Sequence, residues 1–230
     1  MSIELGENIS SAFSYAFNNT FKHFGRWLGL SVLLLIPIAN LIPLGIFLKT
    51  YRNEEPDFSG AGKSFVNGLL YFLITLVYAI IPFILILVLG GTALAGLIPA
   101  MIAGDMAGMT AALAGSLALV LVVFIVSILI AFVLIPGIIN FARSGKFSGA
   151  FKFGEIFGMI KKAGVGHYIL SFIVLFLIIM LIEFVIGLIA MIPILGFIVT
   201  VLATPFLTFV AYKFFGNLFE EQEQVPELQE

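Results

Sequence analysis

Apolar residues run almost unbroken through four stretches of this chain, roughly 68–89, 111–136, 167–190 and 194–213. A helix crossing the hydrocarbon layer of a bilayer needs about 20 such residues. The stretches lack the alternation of a barrel strand, and an open strand edge finds no hydrogen-bond partner in lipid. Each therefore predicts a spanning α-helix. A fifth apolar stretch, 27–48, reads WLGLSVLLLIPIANLIPLGIFL, with Pro37, Asn40 and Pro43 at its centre. Each proline removes a backbone donor and clashes with the preceding turn. This segment is expected to be broken, either as a kinked single span or as a re-entrant hairpin.

Charge placement bears on that choice through the positive-inside rule. Lys22 and Arg26 precede the broken segment, and Lys49, Arg52 and Lys63 follow it. Arg143, Lys146, Lys152, Lys161 and Lys162 lie between the second and third clear runs, and Lys213 ends the last. The connections 90–110 and 191–193 hold no lysine or arginine. If 27–48 re-enters, every basic residue lies on one side, so the re-entrant reading is favoured and both termini are expected in the cytoplasm.

Two segments carry helical periodicity with polar positions between. Ile9, Phe13, Phe17 and Phe21 recur within 8–22, and Phe153, Ile156, Phe157 and Ile160 within 151–163. Both are expected as amphipathic helices resting at the membrane interface. The tetrapeptide Phe-Ser-Gly-Ala occurs at 58–61 and again at 147–150. This suggests three units, each an interfacial helix followed by a hydrophobic hairpin. Residues 90–110, rich in glycine, alanine and methionine, are expected to form a short helix at the far surface. The pairs Gly25/Gly29 and Gly104/Gly108 have close-packing spacing.

The composition agrees with a lipid environment. It is 61% hydrophobic and 10% charged, against about 25% charged for soluble domains. The net charge of -2 offers no basic face for nucleic acid. Cysteine is absent, which removes disulfides and thiolate chemistry. Residues 1–20 lack a basic start followed by an apolar run, which argues against a cleavable signal peptide. The fold class is thus all-α: one polytopic membrane domain over 1–218, then a mobile acidic tail over 219–230.

Few residues are candidates for chemistry. Glu183 is the one acid well inside a spanning run, and no lysine or arginine lies in the clear runs to neutralise it. It must be protonated, hydrogen-bonded, or exposed to water or a partner chain, and intramembrane carboxyls often mark ion or substrate paths. Asn40, between two prolines, offers an amide and freed carbonyls to a ligand; it also fits the plainer task of satisfying the broken backbone. His167 fits an interfacial anchor. Arg143, Lys146, Lys152, Lys161 and Lys162 suit anionic lipid headgroups and serve equally as topology determinants. No HExxH, GxSxG or phosphate-loop pattern occurs, and no His/Asp/Glu cluster has metal-ligand spacing. No catalytic, cofactor or metal residue is assigned.

Several short motifs carry a resemblance. They are Ile138-Ile139-Asn140-Phe141-Ala142-Arg143, Ala150-Phe151-Lys152-Phe153-Gly154-Glu155, Pro205-Phe206-Leu207-Thr208-Phe209 and Phe215-Gly216-Asn217-Leu218-Phe219. With the broken segment ending Gly45-Ile46-Phe47-Leu48-Lys49, this arrangement resembles a family of prokaryotic, largely archaeal, polytopic membrane proteins, domain of unknown function 4013. A tyrosine is expected in that family where Ile46 stands. The resemblance implies a membrane protein and assigns no reaction.

The expectation is a non-enzymatic multi-pass protein of the cell membrane, acting as a scaffold, accessory subunit or lipid-organising protein. Its partners would be the bilayer and either further copies of itself or a larger membrane complex. The alternative is a small transporter or channel with its site near the broken segment or Glu183. A lipid-modifying enzyme ranks third.

Overall fold

The structure, a computed structural model, describes residues 4–220. Among them the helices are α1 (Leu5–Thr20), α2 (Phe24–Leu35), α3 (Leu41–Thr50), α4 (Ala61–Ala103), α5 (Met106–Ser144), α6 (Phe153–Ala163), α7 (Val165–Ile189) and α8 (Pro193–Leu218). Short 3-10 turns occupy Phe21–His23 and Phe147–Phe151. Four helices, α4, α5, α7 and α8, are long and apolar enough to cross a membrane. The chain is an all-α, multi-pass membrane protein. Most of the acidic tail, 221–230, lies outside the described residues.

Contacts divide the chain into two units, one of residues 4–72 with 135–220 and one of 73–134. In the first, α8 is the central strut. Phe209, Val210 and Phe214 on α8 are fully buried, as are Ile46 and Leu48 on α3. The Phe47 and Phe209 rings meet edge to face at 5.0 Å. Lipid is as apolar as leucine, so burying side chains against each other gains little there; close packing and interhelical hydrogen bonds hold such helices together. Gly45 and Gly68 supply the close approach between α3 and the start of α4. A Cβ on Gly45 would fall 1.8 Å from the Ser64 carbonyl oxygen, and one on Gly68 1.8 Å from that of Leu41. Of the two expected glycine pairs, Gly25 and Gly104 would set a Cβ in open space, Gly29 would set one 3.1 Å from the Phe58 ring, and Gly108, in the first turn of α5, would set one 3.2 Å from the Ala100 Cβ on α4.

The α1 helix runs antiparallel along the C-terminal half of α8. Asn8 bonds the Phe214 carbonyl, Tyr15 meets Phe209, and Phe21 meets Phe206. Crossed helices would meet at one point, whereas these contacts advance along both axes. Residues 8–22 were expected as an amphipathic helix; α1 forms over Leu5–Thr20 and packs lengthwise on α8. Its buried face is not the phenylalanine stripe. Asn8, Ala12, Ala16, Asn19 and Thr20 are buried, while Phe17 and Phe21 are about half exposed.

The broken first segment doubles back. The α2 and α3 helices are separated at 36–40, where Ile38 takes a left-handed φ of 70°. With 12 and 10 residues, laid end to end they would extend ~33 Å at 1.5 Å per residue. Yet Arg26, at the start of α2, pairs with Glu55, beyond the end of α3, at 3.2 Å. An ideal Cβ on Gly29 would likewise lie 3.1 Å from the Phe58 ring. That closure fits a re-entrant hairpin and excludes a straight single span.

The second unit, 73–134, consists of the distal parts of α4 and α5. Here the expected short helix at 90–110 is replaced by two long helices that continue to a tight turn. Alanine, leucine and methionine favour continued helix, and the turn waits for Gly104, whose φ of 65° ends α4. The Asp105 amide bonds the Ala100 carbonyl at 2.9 Å, a Schellman closure. The expected threefold unit is also incomplete. Gly164, at φ 84°, separates the amphipathic α6 from α7. No such break follows the first Phe-Ser-Gly-Ala, which leads directly into α4.

Candidate functional site

Polar residues in the first unit gather along α1, the start of α2, the loop after α3 and the end of α8. On α1, Asn19 donates to the Tyr15 carbonyl at 2.9 Å, as an amide one turn on can. Its own oxygen accepts from Arg26 Nη2 at 2.8 Å. Arg26 Nη1 donates to Glu55 Oε1 at 3.2 Å. The Arg26 side chain is 10% exposed and that of Glu55 69%. The guanidinium is therefore held inside while its acid faces out, and Arg26 Nε is buried without a hydrogen-bond partner. Tyr15 OH bonds Thr50 Oγ1 at 3.3 Å; burial raises its phenol above the ordinary range, so it remains a neutral donor.

Two further clusters fix the ends of this seam. Near the C-terminus of α8, Asn217 donates to Asn8 Oδ1 and Ser11 Oγ at 2.9 and 3.3 Å. Lys213 bonds Asn53 and lies 5.7 Å over the Tyr15 ring. At the end of α3, Lys49 is buried and gives its ammonium to the carbonyls of Asp57 and Ser59 and to Asp57 Oδ1, the last at 2.7 Å. Hydrogen bonds from Lys49 and then Ser59 hold the Asp57 carboxyl down to about 2.

The sequence candidates fall in different places. Glu183 is exposed on α7, among Leu181, Phe184 and Val185, which are also exposed. Asn40 sits half-buried at the start of α3; its backbone bonds Ile36 and Leu44, and its side chain makes no capping bond. It lies apart from the polar seam in sequence and bonding. Arg143 donates to the carbonyls of Tyr51, Phe219 and Gly216 at 3.2, 2.5 and 3.1 Å. A helix C-terminus leaves its last carbonyls without intrahelical partners, and Arg143 satisfies those of α8 from the end of α5. This is a structural task that the sequence did not announce beside the headgroup and topology roles expected there. Lys152 pairs with Glu155, 2.7 Å away, whose carboxyl is lowered by that hydrogen bond and by one from Asn140. Lys146, Lys161 and Lys162 are exposed, the last two in the final turn of α6. His167 is half-buried with Nε2 unpartnered, and so is the hydroxyl of Ser171, one turn on.

Behind Arg143, the Tyr51 and Tyr212 rings stack at 4.6 Å. Burial pushes the Tyr51 phenol well above its usual range, with Tyr71 and Tyr168 adding to the effect. Among the described residues no group of three or more His, Asp or Glu is placed to hold a metal. The arrangement can lock the loops after α3 and α5 to α8 and leave Glu55 and the exposed lysines facing outward. Sequence reasoning missed Asn19, Arg26, Glu55 and the Lys49–Asp57 pair. Lys49 comes shortly before the polar stretch Asn53-Glu54-Glu55-Pro56-Asp57, which Asp57 ends, and that spacing was the local signal.

No curated protein and no solved structure matches the chain. The family described as "Protein of unknown function (DUF4013)" matches residues 29–191, from α2 through α7 and so more than half of the sequence. The chain belongs to that family of unknown function.

Proposed function

We propose that this chain is a non-enzymatic membrane protein that acts through contacts within the bilayer, as a scaffold, accessory subunit or lipid-organising protein. Both termini and the loops 49–67 and 143–166 lie on the cytoplasmic side in this reading. The exposed position of Glu183 carries it. A carboxyl on an apolar spanning face is costly when only lipid covers it, and a hydrogen bond from a neighbouring chain removes that cost. Native mass spectrometry of protein extracted gently from its own membrane tests the reading. Stoichiometric partner subunits or a defined homo-oligomer, weakened by Glu183→Leu and retained by Glu183→Gln, are expected. A monomer in every extract contradicts it.

A second reading, a small transporter, draws support from the doubled-back first segment and the inward guanidinium of Arg26. It predicts a bound small solute in the same spectra, and solute flux in liposomes that Arg26→Gln abolishes.

A further inference from the structure

The α6 helix lies in the connection between two spanning helices, α5 and α7. Its side chains change character in order around its axis. At about 100° per residue, Ile156 and Ile160 come first, then Phe153 and Phe157, then Lys161 and Gly154. The isoleucines are buried and the other four positions are exposed, each phenylalanine by about half. Phe147, also exposed, precedes α6 in the 3-10 turn. Asn140 ties that turn to the first turn of α6, donating to the Gly149 carbonyl and to Glu155, each at 2.9 Å.

Positive charge is concentrated in this segment. Residues 144–163 hold four lysines and one glutamate, in a chain whose net charge is -2. Lys152 is paired with Glu155, and Arg143 is turned onto the carbonyls of α8. Lys146 and Lys161 stand exposed. The three exposed rings offer about 300 Å² of apolar surface, taking ~200 Å² for a whole side chain. A stable protein interface takes about 800 Å² from each partner, so the patch is too small for a second chain. Aromatic rings bordered by lysines suit the boundary between acyl chains and headgroups.

We propose that α6 docks on an anionic lipid surface, with Phe153 and Phe157 against acyl chains and Lys146 and Lys161 at lipid phosphates. A zwitterionic headgroup brings its own cation beside the phosphate, whereas an anionic one leaves that place to lysine. The surface lies on α6 and stands whatever covers Glu183 on α7.

Gly154 offers a place for a probe. It is exposed, a Cβ there meets nothing within 4 Å, and the chain has no cysteine. Full-length protein carrying Gly154→Cys is labelled with bimane and placed in vesicles of equal phosphatidylglycerol and phosphatidylcholine. One lipid or the other carries bromine on its acyl chains, close to the carbonyl end. Quenching should show phosphatidylglycerol preferred beside α6, by about fivefold for each lysine that meets a phosphate. Lys146→Gln with Lys161→Gln should bring the preference close to one. Phe153→Ser with Phe157→Ser, both at exposed positions, should weaken quenching by either lipid. Equal quenching by the two lipids before the lysines are changed, a preference that survives their replacement, or full quenching without the phenylalanines overturns the proposal. So does weak quenching by both lipids with energy transfer between labelled copies, which assigns this face to a second copy of the chain.

Discussion

At the scale of residues, contacts between backbones and buried charges decide most of the outcome. Gly68→Ala places a methyl against the Leu41 carbonyl oxygen, and helix backbones cannot yield as a flexible side chain does. A loss of about 1–3 kcal/mol is expected, read as a lowered unfolding midpoint in detergent by Trp27 fluorescence. Arg143→Lys keeps the charge but loses the planar fork that reaches three carbonyls; about 1.5–3 kcal/mol should follow. Asp57 gives a pH test. Its folded value of about 2 lies below the ordinary aspartate value. The Lys49 pairing therefore contributes stability that is complete above about pH 4 and lost as the pH falls through 2. The midpoint difference between the native protein and Asp57→Asn should be largest near pH 5 and vanish near pH 2; a constant difference would show that the pairing adds nothing. Glu183 was legible as an outlier because a carboxyl among leucines is conspicuous. Arg26 with Asn19 and Glu55 was not, because the pairing joins residues on three different elements, and only the packing of α1 on α8 brings them together.

At the scale of elements, the sequence pattern identifies helices well and their buried faces poorly. The runs at 68–89, 111–136, 167–190 and 194–213 all became helices, each longer than the run that announced it. The prolines at 82, 99, 136 and 205 did not end them, since spanning helices tolerate proline where neighbouring groups re-satisfy the backbone. Pro37 and Pro43 do accompany a break. For α1, the apolar stripe was expected to rest in the membrane interface, and Phe17 and Phe21 do stay outside; what the stripe did not reveal is that small and polar residues, Asn8, Ala12, Ala16, Asn19 and Thr20, pack inward. Ala16→Leu should therefore lower the unfolding midpoint by overpacking the α1–α8 seam, at about 1–3 kcal/mol. Phe17→Ala should change it little. Equal effects from the two substitutions would contradict the assignment of the buried face. The hairpin turn at Gly104 was hidden because glycines at 90, 91 and 96 looked equally able to break the helix.

At the scale of the whole molecule, the central claim is a polytopic membrane protein whose first hydrophobic segment enters and leaves the bilayer on the same side. It rests on the Arg26–Glu55 closure and on basic residues that all fall on one side under that topology. The absence of cysteine makes the test direct. Single cysteines are introduced at Ser11, Ser59 and Ser148, and each is labelled with a membrane-impermeant maleimide in intact cells and in inverted vesicles. The account predicts labelling of all three only in inverted vesicles. Labelling of Ser11→Cys in intact cells, with Ser59→Cys and Ser148→Cys still protected there, would make 27–48 a full span with an external N-terminus and contradict it.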